Sequence, residues 1–242
     1  MLPRFSTSDS TLHVAIIPDG NGRWALARGK ARPLGHAAGL ESVRRVVSAA
    51  PELGVRTLTL FAFSSHNWGR PAPEVAGLLT LLERFLHEDL SSCLRAGIRI
   101  TVLGRRDRLP TALRAAIVSA ESATAAGEML HLRLAVDYSS RQALLRAACR
   151  MYTASEVTEE AFARLLTGCD PAGAAPPDVD LLVRTGGEQR LSDFLLWECA
   201  HAELVFARKS WPEFSAEDLA AAVREYRARD RRFGRIPAAV AG

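Results

Sequence analysis

Six apolar, strand-like runs alternate along this chain with six longer segments of helical periodicity. Near-continuous apolar runs are typical of strands buried on both faces. The alternation therefore predicts an α/β fold with a central, mostly parallel six-stranded sheet flanked by helices. The predicted strands are residues 12–17, 56–63, 98–103, 130–136, 179–183 and 203–206. The predicted helices are residues 39–53, 73–96, 111–125, 141–152, 158–166 and 216–229.

Length and composition fit one domain. The chain has 242 residues, 48% of them hydrophobic, which suffices for one sizeable core. We predict a folded domain over residues 12–234 between a flexible lead at 1–11 and a flexible tail at 235–242. The four cysteines are far apart and no apolar stretch reaches membrane-spanning length. We therefore expect reduced thiols and a cytoplasmic location.

The charge pattern points to small anions as ligands. The net charge is only +4 although the isoelectric point is near 9.2, and arginine outnumbers lysine. Arginine suits bidentate phosphate binding. The arginines are scattered and no long basic run interleaves with aromatic residues, so we expect no nucleic-acid partner.

The segment H-V-A-I-I-P-D-G-N-G-R-W at residues 13–24 is an apolar run that ends in a lone carboxylate, Asp19. Gly20, Asn21, Gly22 and Arg23 follow it and could close around an anion. A carboxylate beside a phosphate repels it unless a divalent cation lies between them, which indicates a magnesium-diphosphate ligand. Ordinary turn chemistry is the alternative. The spacing fits neither an EF-hand loop nor a dinucleotide fingerprint.

Two more polar segments follow predicted strands. In residues 63–71, Ser64, Asn67 and Arg70 offer donors and acceptors around an oxyanion, or else Ser64 and Asn67 merely cap the next helix. In residues 184–192, Arg184 and Arg190 bracket a Gly-Gly turn, which predicts a second anion cradle.

Two phosphate cradles and a magnesium carboxylate on one small domain indicate an enzyme that handles two anionic substrates. The chain has no P-loop, no nucleophile elbow and no catalytic Cys–His signature. Ionisation of one diphosphate while another is bound fits these residues better than covalent catalysis does. Glu203, at the start of an apolar run, is either a strand-edge charge or a metal ligand.

Taken together, the motifs resemble those of the cis-prenyltransferases of the undecaprenyl diphosphate synthase type. The resemblance runs from about residue 13 to residue 234. It rests on H-V-A-I-I-x-D-G-N-G-R-W, G-H-x-x-G at 35–39, F-S-S-x-N-W-x-R-P, R-T-G-G-E-x-R-x-S-x-F-L-L-W, A-E-L and the terminal R-R-F-G.

The resemblance implies magnesium-dependent chain elongation, in which isopentenyl diphosphate attacks an ionising allylic diphosphate such as farnesyl diphosphate. It implies a homodimer, with residues 232–234 reaching the partner subunit's site, and peripheral membrane contact for product release. It implies that Asp19 and Glu203 hold the metal and that Ser64 and Asn67 lie near the reacting carbons. The allylic diphosphate would be bound by Gly20, Asn21, Gly22, Arg23, Trp24, Arg32 and His36. Trp68 and Arg70 would shape that pocket, and the isopentenyl diphosphate would be bound by Arg184, Arg190 and Ser192.

Product length is left open by the sequence. The helical segment 75–90, with Leu78, Leu82, Phe85 and Leu86, is the expected wall of an apolar tunnel, although ordinary core packing explains at least half of these residues. We expect a long-chain product such as the undecaprenyl lipid carrier. A short- or medium-chain synthase and a non-catalytic partner subunit are the alternatives.

The chain departs from the family pattern at four places. Pro18 stands where methionine is usual, His66 replaces a glutamate and Gln189 replaces a histidine. Residues 137–141 read D-Y-S-S-R instead of N-Y-G-G-R. None of these changes removes Asp19 or an arginine of either cradle.

Overall fold

The structure is a computed structural model that describes residues 12–152, 157–167 and 177–231. The predicted flexible lead and tail, Cys169 and residues 232–234 of the R-R-F-G motif lie outside the described residues.

The six predicted strands form one sheet in the order β3-β4-β2-β1-β5-β6. Every neighbouring pair is parallel, which confirms the predicted α/β fold. The strands are β1 Leu12–Ile17, β2 Val55–Ser64, β3 Ile98–Leu103, β4 Leu130–Tyr138, β5 Leu181–Arg184 and β6 Glu203–Phe206.

Eight α-helices are present among the described residues. They are α1 Asn21–Leu26, α2 Arg32–Ala49, α3 Ala72–Glu88, α4 Leu90–Arg95, α5 Thr111–Ala123, α6 Ser140–Met151, α7 Glu159–Thr167 and α8 Ala216–Ala228. Short 3-10 helices span Pro51–Leu53, Ser65–Gly69 and Trp211–Glu213. Helix α1 was not predicted, α2 begins seven residues earlier than predicted, and the single helix predicted over 73–96 is divided at Asp89.

The sheet is covered on both faces. Along β1, Val14 and Ile16 join a large apolar cluster with residues of α2, α3, α5 and α8. Ala15 and Ile17 join a second cluster that contains Phe194. Strand β1 lies between β2 and β5: the chain passes from β1 to β2 on one side, and it later crosses from β4 to β5 on the other side. In open α/β sheets the crevice at such a reversal, beyond the carboxyl ends of the strands, is where ligands bind.

His13 in β1 is buried without charge. Its Nδ1 lies 2.9 Å from the Pro177 carbonyl oxygen and its Nε2 lies 2.8 Å from Thr59 Oγ1. Burial, with the positive charge of Arg133, lowers the pKa of His13 to about 3. The ring is therefore neutral, so that Nδ1–H donates to the carbonyl and Nε2 accepts from the hydroxyl.

The lowered pKa of His13 predicts acid sensitivity. Below the unfolded-state pKa of about 6.5, His13 binds a proton in the unfolded chain but not in the folded chain. The free energy of unfolding therefore falls as pH falls. We expect His13 to contribute a loss approaching about 1.4 kcal/mol per pH unit between roughly pH 6 and pH 4. Urea unfolding at several pH values should show a shallower dependence for His13→Asn. Equal slopes for the two proteins would contradict the prediction.

Candidate functional site

A polar cavity of about 660 Å³ opens beyond the carboxyl ends of β1, β2 and β5. It brings together thirteen of the predicted site residues from five separate parts of the chain. They are Asp19, Gly20, Asn21, Gly22, Arg23, Arg32, His36, Ser64, Asn67, Arg70, Arg184, Arg190 and Ser192.

Asp19 is fixed by its backbone and paired through its side chain. Its N–H donates to Thr185 Oγ1 at 2.8 Å, and the same hydroxyl donates to the Asp19 carbonyl at 2.8 Å. The carboxylate accepts from Arg184 Nη2 at 2.8 Å and from the Gly20 N–H at 2.6 Å, and it lies 3.5 Å from Arg23 Nη2.

The environment of Asp19 keeps its carboxylate ionised. Partial burial alone would raise the pKa of Asp19. The hydrogen bonds from Arg184 and Gly20 and the charges of Arg184 and Arg23 outweigh it, and the pKa lies below its ordinary value. A negative oxygen pair therefore faces the cavity at neutral pH.

The glycines of the two cradles let their backbones meet. Gly20 has φ +96°, and a Cβ there would lie 2.7 Å from Ser210 Oγ. Gly186 has φ +80°, and a Cβ there would lie 2.9 Å from the Asp19 carbonyl carbon. Only glycine allows both the left-handed backbone and this approach. Pro18, Asp19 and Gly20 thus form the whole connection between β1 and the short helix α1, with Gly20 as the residue that precedes the helix.

The G-H-x-x-G motif packs α2 against the start of α1. A Cβ at Gly35 would lie 2.1 Å from the Asn21 carbonyl oxygen, and a Cβ at Gly39 would lie 2.5 Å from Asn21 Oδ1. This close approach sets His36, one residue beyond Gly35, at the cavity wall. The motif therefore positions the first cradle by packing.

Arg184 joins the two predicted cradles. Its guanidinium is almost completely buried; Nη1 donates to the Arg190 carbonyl at 2.5 Å and lies 2.7 Å from Ser192 Oγ, while Nη2 donates to Asp19. The sequence analysis treated Asp19 and Arg184 as members of separate sites. In the structure one guanidinium connects them, so the two cradles form one charged network.

The loop that carries Ser192 has a strained backbone. Ser192, Asp193 and Leu195 have φ values of +51°, +63° and +46°, which are rare for residues with a side chain. Ser139 Oγ donates to the Asp193 carboxylate at 2.6 Å, and Arg184 holds the Ser192 hydroxyl. These bonds stabilise a loop conformation that places Ser192 at the cavity.

A second basic group surrounds Glu74, which the sequence analysis did not single out. Glu74 Oε1 lies 3.0 Å from Arg70 Nη1 and 3.4 Å from His36 Nε2, and Oε2 lies 3.4 Å from Arg32 Nε. Burial would raise the pKa of Glu74, but the hydrogen bond from Arg32 and the charges of Arg32 and Arg70 lower it overall. Glu74 therefore holds three nitrogen-bearing side chains together at the cavity. The sequence feature that could have identified Glu74 is its position four residues after Arg70, at the start of a helix.

His36 is neutral in this arrangement. Burial, together with the positive charge of Arg70, lowers the pKa of His36 despite the opposing effect of Glu74. Its ring can therefore offer one donor and one acceptor without adding charge. The fixed positive charge of this wall comes from Arg32 and Arg70.

Ser64 and Asn67 form a capping box. The Ser64 N–H donates to Asn67 Oδ1 at 3.0 Å, and the His66 N–H donates to Ser64 Oγ at 3.2 Å. The predicted cap of the next helix is wrong, because the two side chains cap the 3-10 helix Ser65–Gly69 and α3 has no side-chain cap. Both side chains also line the cavity, as does the exposed His66. Their roles near the reacting carbons stay predictions.

Two predicted tryptophans do not line the cavity. Trp24 is covered by the cations of Arg28 and Lys30, which lie 4.6 and 5.7 Å from its ring centroid. Trp68 packs edge-on against Phe63 at 5.3 Å, with the Arg108 guanidinium 5.1 Å from its ring. Neither indole is among the residues that line the described cavity, and the predicted contact of Trp24 and Trp68 with substrate stays a prediction.

Glu203 lies at the opposite end of the sheet from Asp19. It begins β6 and pairs in register with Leu181 at the start of β5, whereas Asp19 follows the end of β1. Its carboxylate accepts from Arg229 Nη1 at 2.6 Å. Within one chain the prediction that Glu203 and Asp19 share a metal ion is wrong, and the strand-edge interpretation is correct.

The departure at residues 137–141 is accommodated by specific contacts. Asp137 has φ +48°, a conformation that aspartate and asparagine tolerate better than most residues. Its buried carboxylate accepts from Arg108 Nε at 2.6 Å and Nη2 at 2.5 Å. Asp137 therefore supports the loops beside the site without entering the cavity.

A smaller apolar chamber of about 130 Å³ adjoins the polar cavity. Leu78, Leu82 and Phe85 of α3 line it, as predicted, whereas Leu86 belongs to the core. Ala62 also lines the chamber, and Leu130 is a core residue. The predicted apolar wall is thus partly confirmed.

Over the described ranges, no three histidine, cysteine, aspartate or glutamate side chains are grouped so that they could hold a metal ion. In the same part of the chain, no helix has the length and apolar character needed to cross a bilayer.

Comparison with known proteins agrees with the geometry. Residues 17–234 match the family described as "Putative undecaprenyl diphosphate synthase". The chain is 55% identical to isoprenyl transferase 1 of Bradyrhizobium diazoefficiens over 227 residues, which cover 94% of this chain and 91% of that protein.

Two solved structures share the fold. Lavandulyl diphosphate synthase from Lavandula x intermedia, in complex with dimethylallyl diphosphate, superposes with a TM-score of 0.86 at 34% identity, covering 92% of this chain and 98% of that one. A probable undecaprenyl diphosphate synthase from Campylobacter jejuni gives a TM-score of 0.78 at 31% identity, covering 94% and 100%. The chain therefore belongs to the cis-prenyltransferase family and is an enzyme that transfers prenyl groups.

Proposed function

We propose that this enzyme elongates an allylic diphosphate, such as farnesyl diphosphate, with isopentenyl diphosphate and forms a cis double bond. The observation that carries the proposal is the single cavity in which an ionised Asp19 lies among five arginines, beside an apolar chamber. Two diphosphates need this much positive charge, and a prenyl chain needs an apolar wall. Relatives named isoprenyl transferase and lavandulyl diphosphate synthase support the same chemistry.

The residues present fit a magnesium ion. Mg²⁺ keeps several waters and is usually held by one or two carboxylates together with substrate phosphates. Asp19 supplies one ionised carboxylate at the cavity, which suits this mode of binding and explains why no three-residue metal cluster occurs among the described residues. When bound, the ion would neutralise charge on the diphosphates.

The arginines perform the electrostatic part of the proposed reaction. As the C1–O bond of the allylic diphosphate breaks, negative charge grows on the leaving diphosphate and positive charge grows on the allyl group. Arg23, Arg32 and Arg70 are fixed before the reaction by Asp19, Glu188 and Glu74, so they stabilise that charge without reorganising.

The second substrate completes the bond changes. Isopentenyl diphosphate, held by Arg184, Arg190 and Ser192, attacks the allyl cation through its terminal alkene carbon. The loss of one proton from its C2 to a phosphate oxygen of the released diphosphate then creates the new double bond. Ser64 and Asn67 are the proposed groups near that proton, and their mutual capping box holds them in place.

Product length separates two versions of this function. A long-chain product such as the undecaprenyl carrier is one, and a short- or medium-chain prenyl diphosphate of a specialised pathway is the other. The limited volume of the apolar chamber favours the second. A homodimer and a peripheral membrane contact for product release are proposed on the family resemblance alone. Light scattering and vesicle sedimentation would test them.

A product assay tests the proposed function. The protein is incubated with labelled isopentenyl diphosphate, magnesium and allylic primers of one, two or three isoprene units, and the products are separated by chromatography. Elongated products that require both substrates are expected. No elongation of any primer by folded protein would contradict the proposal.

Arg190→Ala is expected to raise the KM for isopentenyl diphosphate by about 10- to 100-fold, because it removes a charge-assisted contact to phosphate. The KM for the primer should change little. Arg105→Ala is the matched control: Arg105 and Arg190 each pair at 2.5 Å with an acid two residues away, and Arg105 lies outside the cavity. A change confined to the primer would show that the cradles are assigned the wrong way round.

A further inference from the structure

The apolar chamber continues the polar cavity into the protein. The two spaces share six lining residues, which mark the opening between them: Pro18, Asn21, His36, Phe61, Ala62 and Leu78. An apolar tail attached to a diphosphate in the cavity would therefore enter the chamber at this opening.

Two helices define the depth of the chamber. Along α2 it is lined by His36, Leu40 and Val43, and along α3 by Leu78, Leu82 and Phe85. The first and last members of each set are seven residues apart, or about 10 Å at 1.5 Å per residue. Phe85 is the chamber residue on α3 that lies farthest along the helix from the opening.

Three of the residues that line the chamber are buried. Phe85, Leu60 and Leu134 are 4%, 1% and 2% exposed, and all three line the chamber. Leu86, the next residue of α3, is 1% exposed and belongs to the core. A tail that reaches Phe85 along α3 therefore meets a buried side chain that is backed by the core.

An ion-pair clasp joins α2 and α3 beyond this end. Arg44, next to Val43, donates from Nε to Asp89 Oδ1 at 2.9 Å and from Nη2 to Asp89 Oδ2 at 2.9 Å. Its Nη2 also donates to Glu88 Oε2 at 3.1 Å. Asp89 directly follows α3, so the clasp resists separation of the two helices where the chamber ends.

The size of the chamber limits what it can hold. An engineered apolar cavity of about 150 Å³ binds one benzene, which has six carbons. A chamber of about 130 Å³ therefore has room for about one five-carbon unit. Its depth gives a more generous limit of about two units, because carbon–carbon bonds of about 1.5 Å make an extended unit roughly 5 Å long.

We propose that Phe85, held in place by the Arg44 clasp, is the floor that stops chain growth, and that the product has no more than about four isoprene units. This proposal rests on the proposed elongation activity. One or two units lie at the opening and about two fill the chamber, so a farnesyl primer would accept one addition before its tail meets Phe85.

Product length in floor variants tests the proposal. With a farnesyl primer and excess isopentenyl diphosphate, the wild-type product should stop at four units, while Phe85→Ala should give products longer by at least one unit. Leu86→Ala is the matched control, because Leu86 is equally buried on the same helix but does not line the chamber. Its product length should be unchanged. Arg44→Gln should broaden the product distribution toward longer chains without altering any residue that lines the chamber.

A binding measurement separates this proposal from the proposed activity. Displacement of a fluorescent prenyl diphosphate by unreactive diphosphates of increasing tail length should show affinity falling beyond four units in the wild type and not in Phe85→Ala. If Phe85→Ala does not fold, Phe85→Leu should show the same shift in smaller degree. A wild-type product of eleven units, or the same length from the wild type and Phe85→Ala, would overturn the floor assignment. Absence of any product would refute the elongation activity, and the tail-length dependence of binding would still decide the floor.

Discussion

Replacement of Asp19 by alanine is expected to lower kcat by roughly a thousandfold or more, because loss of the carboxylate that anchors the metal costs several kcal/mol in the transition state. The fold should survive. The backbone of Asp19 keeps its bonds to Thr185 and Trp211, and its side chain lies at the cavity and not in the core. Steady-state turnover and thermal unfolding of the same preparation measure both effects.

Two further variants sharpen the Asp19 test. Asp19→Asn keeps the shape of the side chain but removes its charge, and we expect it to be nearly as inactive as Asp19→Ala. Asp107→Ala removes an exposed carboxylate that pairs with Arg105 away from the cavity, and it should retain activity. Near-normal turnover of folded Asp19→Asn would show that the negative charge is dispensable.

Replacement of Arg184 by alanine is expected to lower kcat/KM for both substrates by about 100-fold or more. Loss of a hydrogen bond between charged groups costs about 1.5–3 kcal/mol, and Arg184 loses contacts to Asp19 and to Ser192 together. The pKa of Asp19 should also rise, because Arg184 is the chief group that lowers it. The acidic limb of the pH–rate profile should therefore move to higher pH.

The pH–rate profiles of wild type, Arg184→Ala and Arg190→Ala distinguish a shared network from two independent cradles. A shared network predicts that only Arg184→Ala moves the acidic limb. If Arg184→Ala changes nothing except the KM for isopentenyl diphosphate, Arg184 acts at one substrate alone. Circular dichroism is needed as a folding control, since Arg184 is almost completely buried.

The local sequence pattern was sufficient to predict a strand where the structure of that strand depends mainly on its own residues. The bounds of β1, β3 and β6 agree with the sequence prediction because each is a short apolar run between polar residues. Residues 179 and 180 were predicted as strand. In the structure their N–H groups bond to the carbonyls of Glu198 and His13 before β5 begins at Leu181. Such distant partners leave no trace in local periodicity.

The differences between the predicted and observed helices also come from contacts with distant parts of the chain. Helix α1 has six residues and begins with Asn21-Gly22, a pair that favours turns over helices. Gly35 obscured the start of α2, yet it is required there because the Asn21 carbonyl leaves no room for a Cβ. The division at Asp89 coincides with the clasp to Arg44, a contact 45 residues apart in sequence.

The sequence was sufficient to predict the site where a single motif contains both a glycine that the backbone requires and a charged side chain, as at Gly20, Arg184 and Gly186. Glu74 escaped notice because a single glutamate at a helix start is ordinary, and only the fold brings Arg32 and His36 to it. Glu203 was misassigned because its metal role was carried over from the family resemblance, although its place at the start of a predicted parallel strand already put it at the end of the sheet opposite Asp19. In a parallel sheet, the start and the end of a strand face opposite edges.

The most direct test of the central claim is the geometry of the newly formed double bond. Wild-type protein is incubated with magnesium, farnesyl diphosphate and ¹³C-labelled isopentenyl diphosphate, and the product is examined by NMR and mass spectrometry. Parallel reactions contain a chelator or the Asp19→Ala protein. The account predicts a cis double bond in the added unit, and loss of product in both parallel reactions. A trans double bond, or undiminished product without available metal, would contradict it.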